Sequence, residues 1–156
     1  MQFGKVGPNA KAAVPYLRES AGDPQRQTWL PAARALLKIG ETNLAVSELL
    51  KKVGERDFDS RFEATKLILE AQPTNATAMA ALIRLMQDDF RGSLAMAVAV
   101  KMGAAAAPAL PALRQIANNK RRAAYHSLAR ETIRDIESAA QTGLPSGDSS
   151  VRGTGN

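Results

Sequence analysis

The sequence predicts an all-α protein, an α-solenoid of about four stacked helix pairs. Three observations predict it. First, short anchors that end apolar stretches recur along the chain. Lys5-Val6-Gly7, Lys38-Ile39-Gly40 and Lys101-Met102-Gly103 end in glycine, Glu70-Ala71-Gln72 is a degenerate copy, and Asp135-Ile136-Glu137 is a fifth. Their last residues fall at 7, 40, 72, 103 and 137, spaced by 33, 32, 31 and 34. Second, the same stripe follows each of the first four anchors: Ala13-Val14-Leu17, Ala45-Val46-Leu49, Ala78-Met79-Leu82 and Ala109-Leu110-Leu113. Apolar residues at i, i+1 and i+4 share one face of a helix. Third, hydrophobic residues make up 45% of the chain while aromatics make up only 4%, with alanine dominant. Small side chains favour helix and let helices approach closely. No alternating β-branched run and no Asn-Gly or Asp-Gly hairpin turn interrupts that pattern.

The elements follow in order. Phe3 and Val6 sit where the last turn of a preceding helix would place core residues, so further repeats of a parent chain are expected before Met1. Pro8–Ser20 is a helix that Pro15 must bend or restart. Gly22-Asp23-Pro24 is a turn. Gln25–Ile39 is a helix with Trp29, Ala33, Leu36 and Leu37 facing inward, and Glu41-Thr42-Asn43 caps a helix over Leu44–Val53 that Gly54 ends. Asp57–Ala71 carries acids at its start, where the helix dipole favours them. Gln72-Pro73-Thr74-Asn75 turns into a helix over Thr77–Gln87, and Asp88-Asp89-Phe90-Arg91 connects to one over Ser93–Met102. Ala107–Asn118 and Lys120–Ser138 complete a repeat domain over residues 1–138. Residues 139–156 turn Gly/Ser-rich and lose their apolar period, which predicts a disordered tail.

The string from Pro31 to Gly40, PAARALLKIG, resembles a HEAT repeat, in particular the short bacterial variety named after phycobilisome lyases. The family pattern is R-x-x-A-A-x-A-L-G-x-I-G. Arg61 to Gln72 fits its register with the arginine in place, whereas other copies hold Trp29, Gly92 and His126 there. The resemblance covers residues 3–138. It implies a solenoid whose second-of-pair helices line a concave surface; it implies no particular activity.

Composition bounds the chemistry. The chain has no cysteine, which excludes disulfides and thiolate metal sites. The N-terminus lacks the apolar core of a signal peptide, and Lys101 and several prolines break the longest apolar stretches, so the expectation is no membrane span and a cytoplasmic location. The net charge of +6 suits ordinary solubility and equally an acidic partner.

No nucleophile–base pair, P-loop or dinucleotide fingerprint occurs, and no cofactor is expected. His126 is the single histidine. Asp57/Asp59 and Asp88/Asp89 stand at helix starts, the ordinary place for acids, and Asn75-Ala76-Thr77 reads as a cap rather than a glycosylated site. One set keeps step with the repeat: Arg18, Lys51, Arg84 and Arg114, spaced by 33, 33 and 30, each after a leucine or isoleucine. They are either a basic ladder along the groove or cations that complement the C-terminal end of each helix dipole. Lys120, Arg121 and Arg122 add the longest basic run, at a helix start where cations are mildly unfavourable, with Tyr125 nearby. These seven cations are the candidate partner-binding residues. The expected function is a non-enzymatic scaffold that holds an acidic protein or peptide. The alternative is a nucleic-acid binder, since alkylpurine DNA glycosylases of similar helical architecture cradle duplex DNA in a basic groove.

Overall fold

The structure is a computed structural model that describes residues 9–23 and 28–143. Among the described residues there are helices and turns and no strand, as the all-α expectation requires. The chain divides into two compact units, Met1–Ala78 and Met79–Asn156.

In the first unit, α1 (Asn9–Ala12) stops at Ala13 and α2 (Val14–Gly22) restarts with Pro15 in its first turn. Proline there lacks only an N–H that has no partner within a helix anyway. Next, α3 (Trp29–Lys38) closes at Gly40, whose φ of 87° is left-handed. Its end is a Schellman motif: the Glu41 N–H donates to the Leu36 carbonyl at 2.9 Å and the Gly40 N–H to Leu37 at 3.2 Å. The anchor glycine therefore does the job its position suggested. The following helix, α4 (Thr42–Val53), begins two residues before the expected Leu44, and α5 (Phe58–Ala71) starts from Asp57, whose carboxylate accepts from the Ser60 N–H at 2.8 Å. Packing links α2 with α3 and α4, and α5 with α3 and α4. The small core of Ala21, Ala32, Leu36 and Ala45 is ringed by half-buried Val14, Leu17, Leu37, Ile39 and Leu44. Of the four inward residues expected on α3, Ala33 and Leu36 are buried, and Trp29 and Leu37 are half-buried. Arg34 reaches Glu63 at 3.1 Å and ties α3 to α5. Arg61, the arginine in the repeat register, leaves its buried Nε without a hydrogen-bond partner.

Helix α6 (Ala76–Met86) crosses the division between the units, and Asn75 caps it by accepting from the Ala78 N–H at 3.1 Å. The asparagine of the Asn-Ala-Thr triplet is thus occupied as a cap. In the second unit, α7 (Gly92–Met102) ends at Gly103, with φ 56°. A 3-10 segment (Gly103–Ala109) containing Pro108 leads into α8 (Leu110–Asn118), which holds Pro111 in its first turn. A second 3-10 segment (Lys120–Tyr125) leads into α9 (His126–Thr142), which packs on α7, on α8 and on both 3-10 segments. Buried side chains here are mostly small: Ala95, Ala99, Ala106, Ala109 and Ala129, with Met96, Leu113, Ile116 and Ile136. The repeated stripe is buried throughout its Ala45 and Ala78 copies, is half-buried at Leu110, and is half-buried in the Ala13 copy.

Some expectations need amending. Asp135-Ile136-Glu137 is no helix end, because Ile136 is buried inside α9 and nothing breaks the helix until left-handed Gly143. Gln72 does end α5, in an extended conformation (φ −139°) that needs no glycine. The stretch Gly92–Asn118 does hold one helical run of 27 residues that is long and apolar enough, by length and composition, to cross a membrane. Lys101 and the prolines do not interrupt it enough to fail that test. In the structure it is α7 and α8 joined by the Gly103 segment, with the side chains named above packed inside the second unit. The tail expected over 139–156 starts too early, because α9 carries on through buried Ala139 to Thr142; the residues after Gly143, the anchor at Gly7 and the turn at Pro24 lie outside the described residues.

Candidate functional site

The seven cations separate into those with a partner in the structure and those exposed without an ion pair among the described residues. Arg18 on α2 and Lys51 on α4 share one acid, Glu48, whose side chain is only 4% exposed. Glu48 lies on the inward face of α4, with Ala45, Leu49 and Lys52 as its helical neighbours. Arg18 Nε stands 3.7 Å from one carboxylate oxygen and Lys51 Nζ bonds the other. A Cβ on Gly22 would come within 2.9 Å of that second oxygen, so the glycine makes room for the carboxylate. A buried charge needs such partners, since an unpaired one is strongly destabilising. Arg114 on α8 pairs with Glu137 on α9 at 2.9 Å. Arg84, on α6, is exposed and makes no ion pair among the described residues. Lys51 and Arg84 stand in the last turns of their helices, where the dipole reading puts them, whereas Arg18 and Arg114 do not, and only Arg84 of the four makes no ion pair among the described residues.

The basic run Lys120-Arg121-Arg122 divides in the same way. Arg122, with its side chain 10% exposed, turns into the structure. Its Nη2 donates to the Met86 carbonyl at 3.2 Å and to the Asp88 carbonyl at 2.7 Å, its Nε lies 3.3 Å from an Asp89 oxygen without hydrogen-bond alignment, and its guanidinium stacks 4.9 Å from the Tyr125 ring. The Met86 carbonyl ends α6, where partial negative charge collects, and the Asp88 carbonyl in the turn after it also accepts from the Gly92 N–H at 3.1 Å. Arg122 is therefore a cap supplied from another segment, with planar donors suited to two acceptors. The mild conflict of a cation at the start of a helix has this cause for Arg122: the residue serves the end of a different helix. Lys120 and Arg121 stay exposed without an ion pair among the described residues.

One further bond joins the turn over 88–91 to the segment over 119–126, and the others brace each from within. The Tyr125 hydroxyl donates to the Asp89 carbonyl at 3.0 Å, His126 Nε2 to the Asn119 carbonyl at 2.7 Å, and the Asn119 side-chain oxygen accepts from the Arg121 N–H at 3.1 Å. Asp88 accepts from the N–H groups of Phe90 at 3.0 Å and Arg91 at 2.8 Å. Between the turns lies an open recess of about 430 Å³, lined by Asp89, Asn119, Arg121, Arg122, Ala124 and Tyr125. Beside it Phe90 is 90% exposed, and Leu94 on the first turn of α7 is 46% exposed.

Sequence reasoning passed over Glu48, Lys52 and Phe90. Ala45, Glu48, Leu49 and Lys52 stand at i, i+3, i+4 and i+7, the spacing that predicts one inward face, and it would have found the first two. Lys52 is buried, with its Nζ 2.8 Å from Glu55 and 5.7 Å from the centre of the Trp29 ring. Nothing in the sequence distinguishes an exposed phenylalanine in a turn from one folded back over it. Among the described residues no group of three or more His, Asp or Glu side chains is placed to hold a metal ion, and Asp57 and Asp88 are engaged as caps. Compared with known protein-family models, with curated proteins and with solved structures, the chain matches none.

Proposed function

We propose that the chain is a non-enzymatic protein-binding scaffold, a stack of HEAT-like helix pairs whose mildly basic helical surface holds an acidic protein or peptide. The observation that carries this reading is the division of the cations. Arg122 is turned inward and Arg18, Lys51 and Arg114 each have an acidic partner, while Arg84, Lys120 and Arg121 remain exposed without an ion pair among the described residues, on a chain of net charge +6. Supporting it is the packing of the first unit, where α2 meets α3 and α4, and α3 meets α4 and α5, as in a stacked array. A basic surface of this kind raises the local concentration of an acidic partner and speeds encounter.

The test is capture from nuclease-treated lysate on the immobilised full chain, with the R84E/K120E/R121E variant alongside. Acidic proteins retained by the parent chain and released from the variant support the reading. Retention that disappears with nuclease treatment points to nucleic acid instead. Equal retention by both chains removes these cations from the function.

A further inference from the structure

Phe90 is the most exposed large apolar side chain among the described residues, and it stands on a turn that is held rather than loose. Backbone hydrogen bonds to the Asp88 carboxylate fix Phe90 and Arg91, the Tyr125 hydroxyl fixes the Asp89 carbonyl, and Arg122 fixes the Asp88 carbonyl. A mobile turn could fold an aromatic ring back onto the protein. This one is braced on both sides of Phe90, and a ring kept in water forgoes the gain that burial brings. Rigid exposed aromatics next to a recess are the anchors around which interfaces form, because little freedom is left to lose on binding.

The surroundings select the partner. Phe90 directly follows Asp89, which lines the recess, and Leu94 stands in the first turn of α7. Arg121 lines that recess, and Lys120 precedes it on the same segment, both exposed. The Asp89 carboxylate, 76% exposed, shares the rim. A nucleic-acid strand offers evenly spaced phosphates and needs a track of cations. Two cations on one short segment and a third, Arg91, next to Phe90, set beside a carboxylate, are no such track. A peptide with one or two carboxylates and one apolar side chain matches the place: the acid meets Arg121 and Lys120, and the apolar group meets Phe90 and Leu94.

We propose that the turn carrying Phe90, with Leu94, Arg121 and Lys120, docks a short acidic peptide segment of a partner protein through a single apolar anchor. The proposal rests on the protein-binding reading and gives it a site and a ligand chemistry.

The probe is a fluorescein-labelled library of octapeptides of Glu and Asp with one central Leu, Phe or Trp, titrated against the full chain by fluorescence anisotropy. Amide chemical shifts locate the contact. Saturable binding is expected, with shifts centred on residues 89–94 and 119–125. F90S and R121E should each weaken it about tenfold, while the charge-matched change K38E on α3 leaves it within about twofold. Phe90 and Arg121 are exposed, and circular dichroism melts matching the parent chain confirm that both variants fold. Binding untouched by F90S and R121E but weakened by R84E overturns this surface and leaves the scaffold reading standing. No saturable binding by any acidic peptide overturns both. Tighter, Phe90-dependent binding of oligo-dT than of the peptides gives the surface to single-stranded nucleic acid and overturns the peptide assignment.

Discussion

Replacing Arg122 by alanine should remove more stability than any other single change among the chain's cations. The magnitude follows from the partners. The Met86 carbonyl belongs to a fully buried residue, and losing its donor strands a buried acceptor at about 1–3 kcal/mol. The 2.7 Å bond to the half-buried Asp88 carbonyl comes from a charged donor; because water can replace it in part, its loss costs about 1 kcal/mol. The stacking on Tyr125 contributes about 0.5–1 kcal/mol. The Asp89 carboxylate, 76% exposed and screened by solvent, contributes less than about 0.5 kcal/mol. Together these give about 2.5–5.5 kcal/mol, a fall of roughly 1–3 M in the urea midpoint for a chain of this size. Urea denaturation followed by circular dichroism at 222 nm measures it. R122K keeps the charge, but an ammonium cannot span two carbonyls and lie flat on a ring, so it should recover less than half of the loss. The neighbouring R121A, at an exposed side chain, should stay within about 0.5 kcal/mol of the parent. An R122A variant within about 0.5 kcal/mol of the parent, or an R122K variant equal to it, would refute the capping account.

Other substitutions test the same structure elsewhere. Gly92→Ala places a Cβ 2.5 Å from the Met86 carbonyl oxygen, so it should lose about 2 kcal/mol although alanine favours helix by about 1 kcal/mol; Gly54→Ala, whose nearest contact is 3.9 Å, should be neutral or stabilising by up to about 1 kcal/mol in the same urea titration. For the buried Lys52, Glu55→Gln should destabilise more than Lys52→Met, because the first strands a buried ammonium and the second replaces it with an apolar side chain of similar length; thermal melts showing the reverse order would contradict the pairing. Glu48→Ala should cost about 2–3 kcal/mol by leaving a cavity between α2 and α4, whereas Arg18→Ala and Lys51→Ala, each removing one largely exposed partner, should cost under about 1 kcal/mol apiece. Asp57→Ala should remove about 1 kcal/mol as the loss of a helix cap.

Periodicity made the helices legible because it reports burial directly. Ala45, Val46 and Leu49 recur at a helical spacing and are buried at that spacing, and Gly40 takes the left-handed turn that its place after Ile39 calls for. Boundaries failed where a local break was read into a helix that tertiary packing carries onward. Ile136 is held inside α9, and the helix continues to Thr142. The cations were legible as positions and illegible as roles. Arg18, Lys51 and Arg114 keep the repeat's register, but their partners Glu48 and Glu137 stand on the helix face or the neighbouring helix that only packing brings close. Arg122 reaches back to Met86, a separation along the chain that no local pattern encodes.

The two turns of the second unit show why folding and partner binding draw on different side chains there. The Met86 carbonyl at the end of α6 and the Asp88 and Asp89 carbonyls of the turn after it accept from Arg122 and Tyr125, and Asp88 accepts from the Gly92 N–H as well. Arg122 and Tyr125 are thereby fixed and largely withdrawn from any ligand. Fixing them in turn holds the Phe90 turn in place, and Arg121, the residue just before Arg122, is left exposed at the recess. The consequence is a separation that mutation can expose. Changes at Arg122 and Gly92 act on stability first, and on acidic-peptide affinity only by loosening the turn. Changes at Phe90 and Arg121 should leave the urea midpoint in place and move affinity alone. A variant of Phe90 that lowered stability as much as R122A would mean that the ring is packed, and the docking argument would lose its premise.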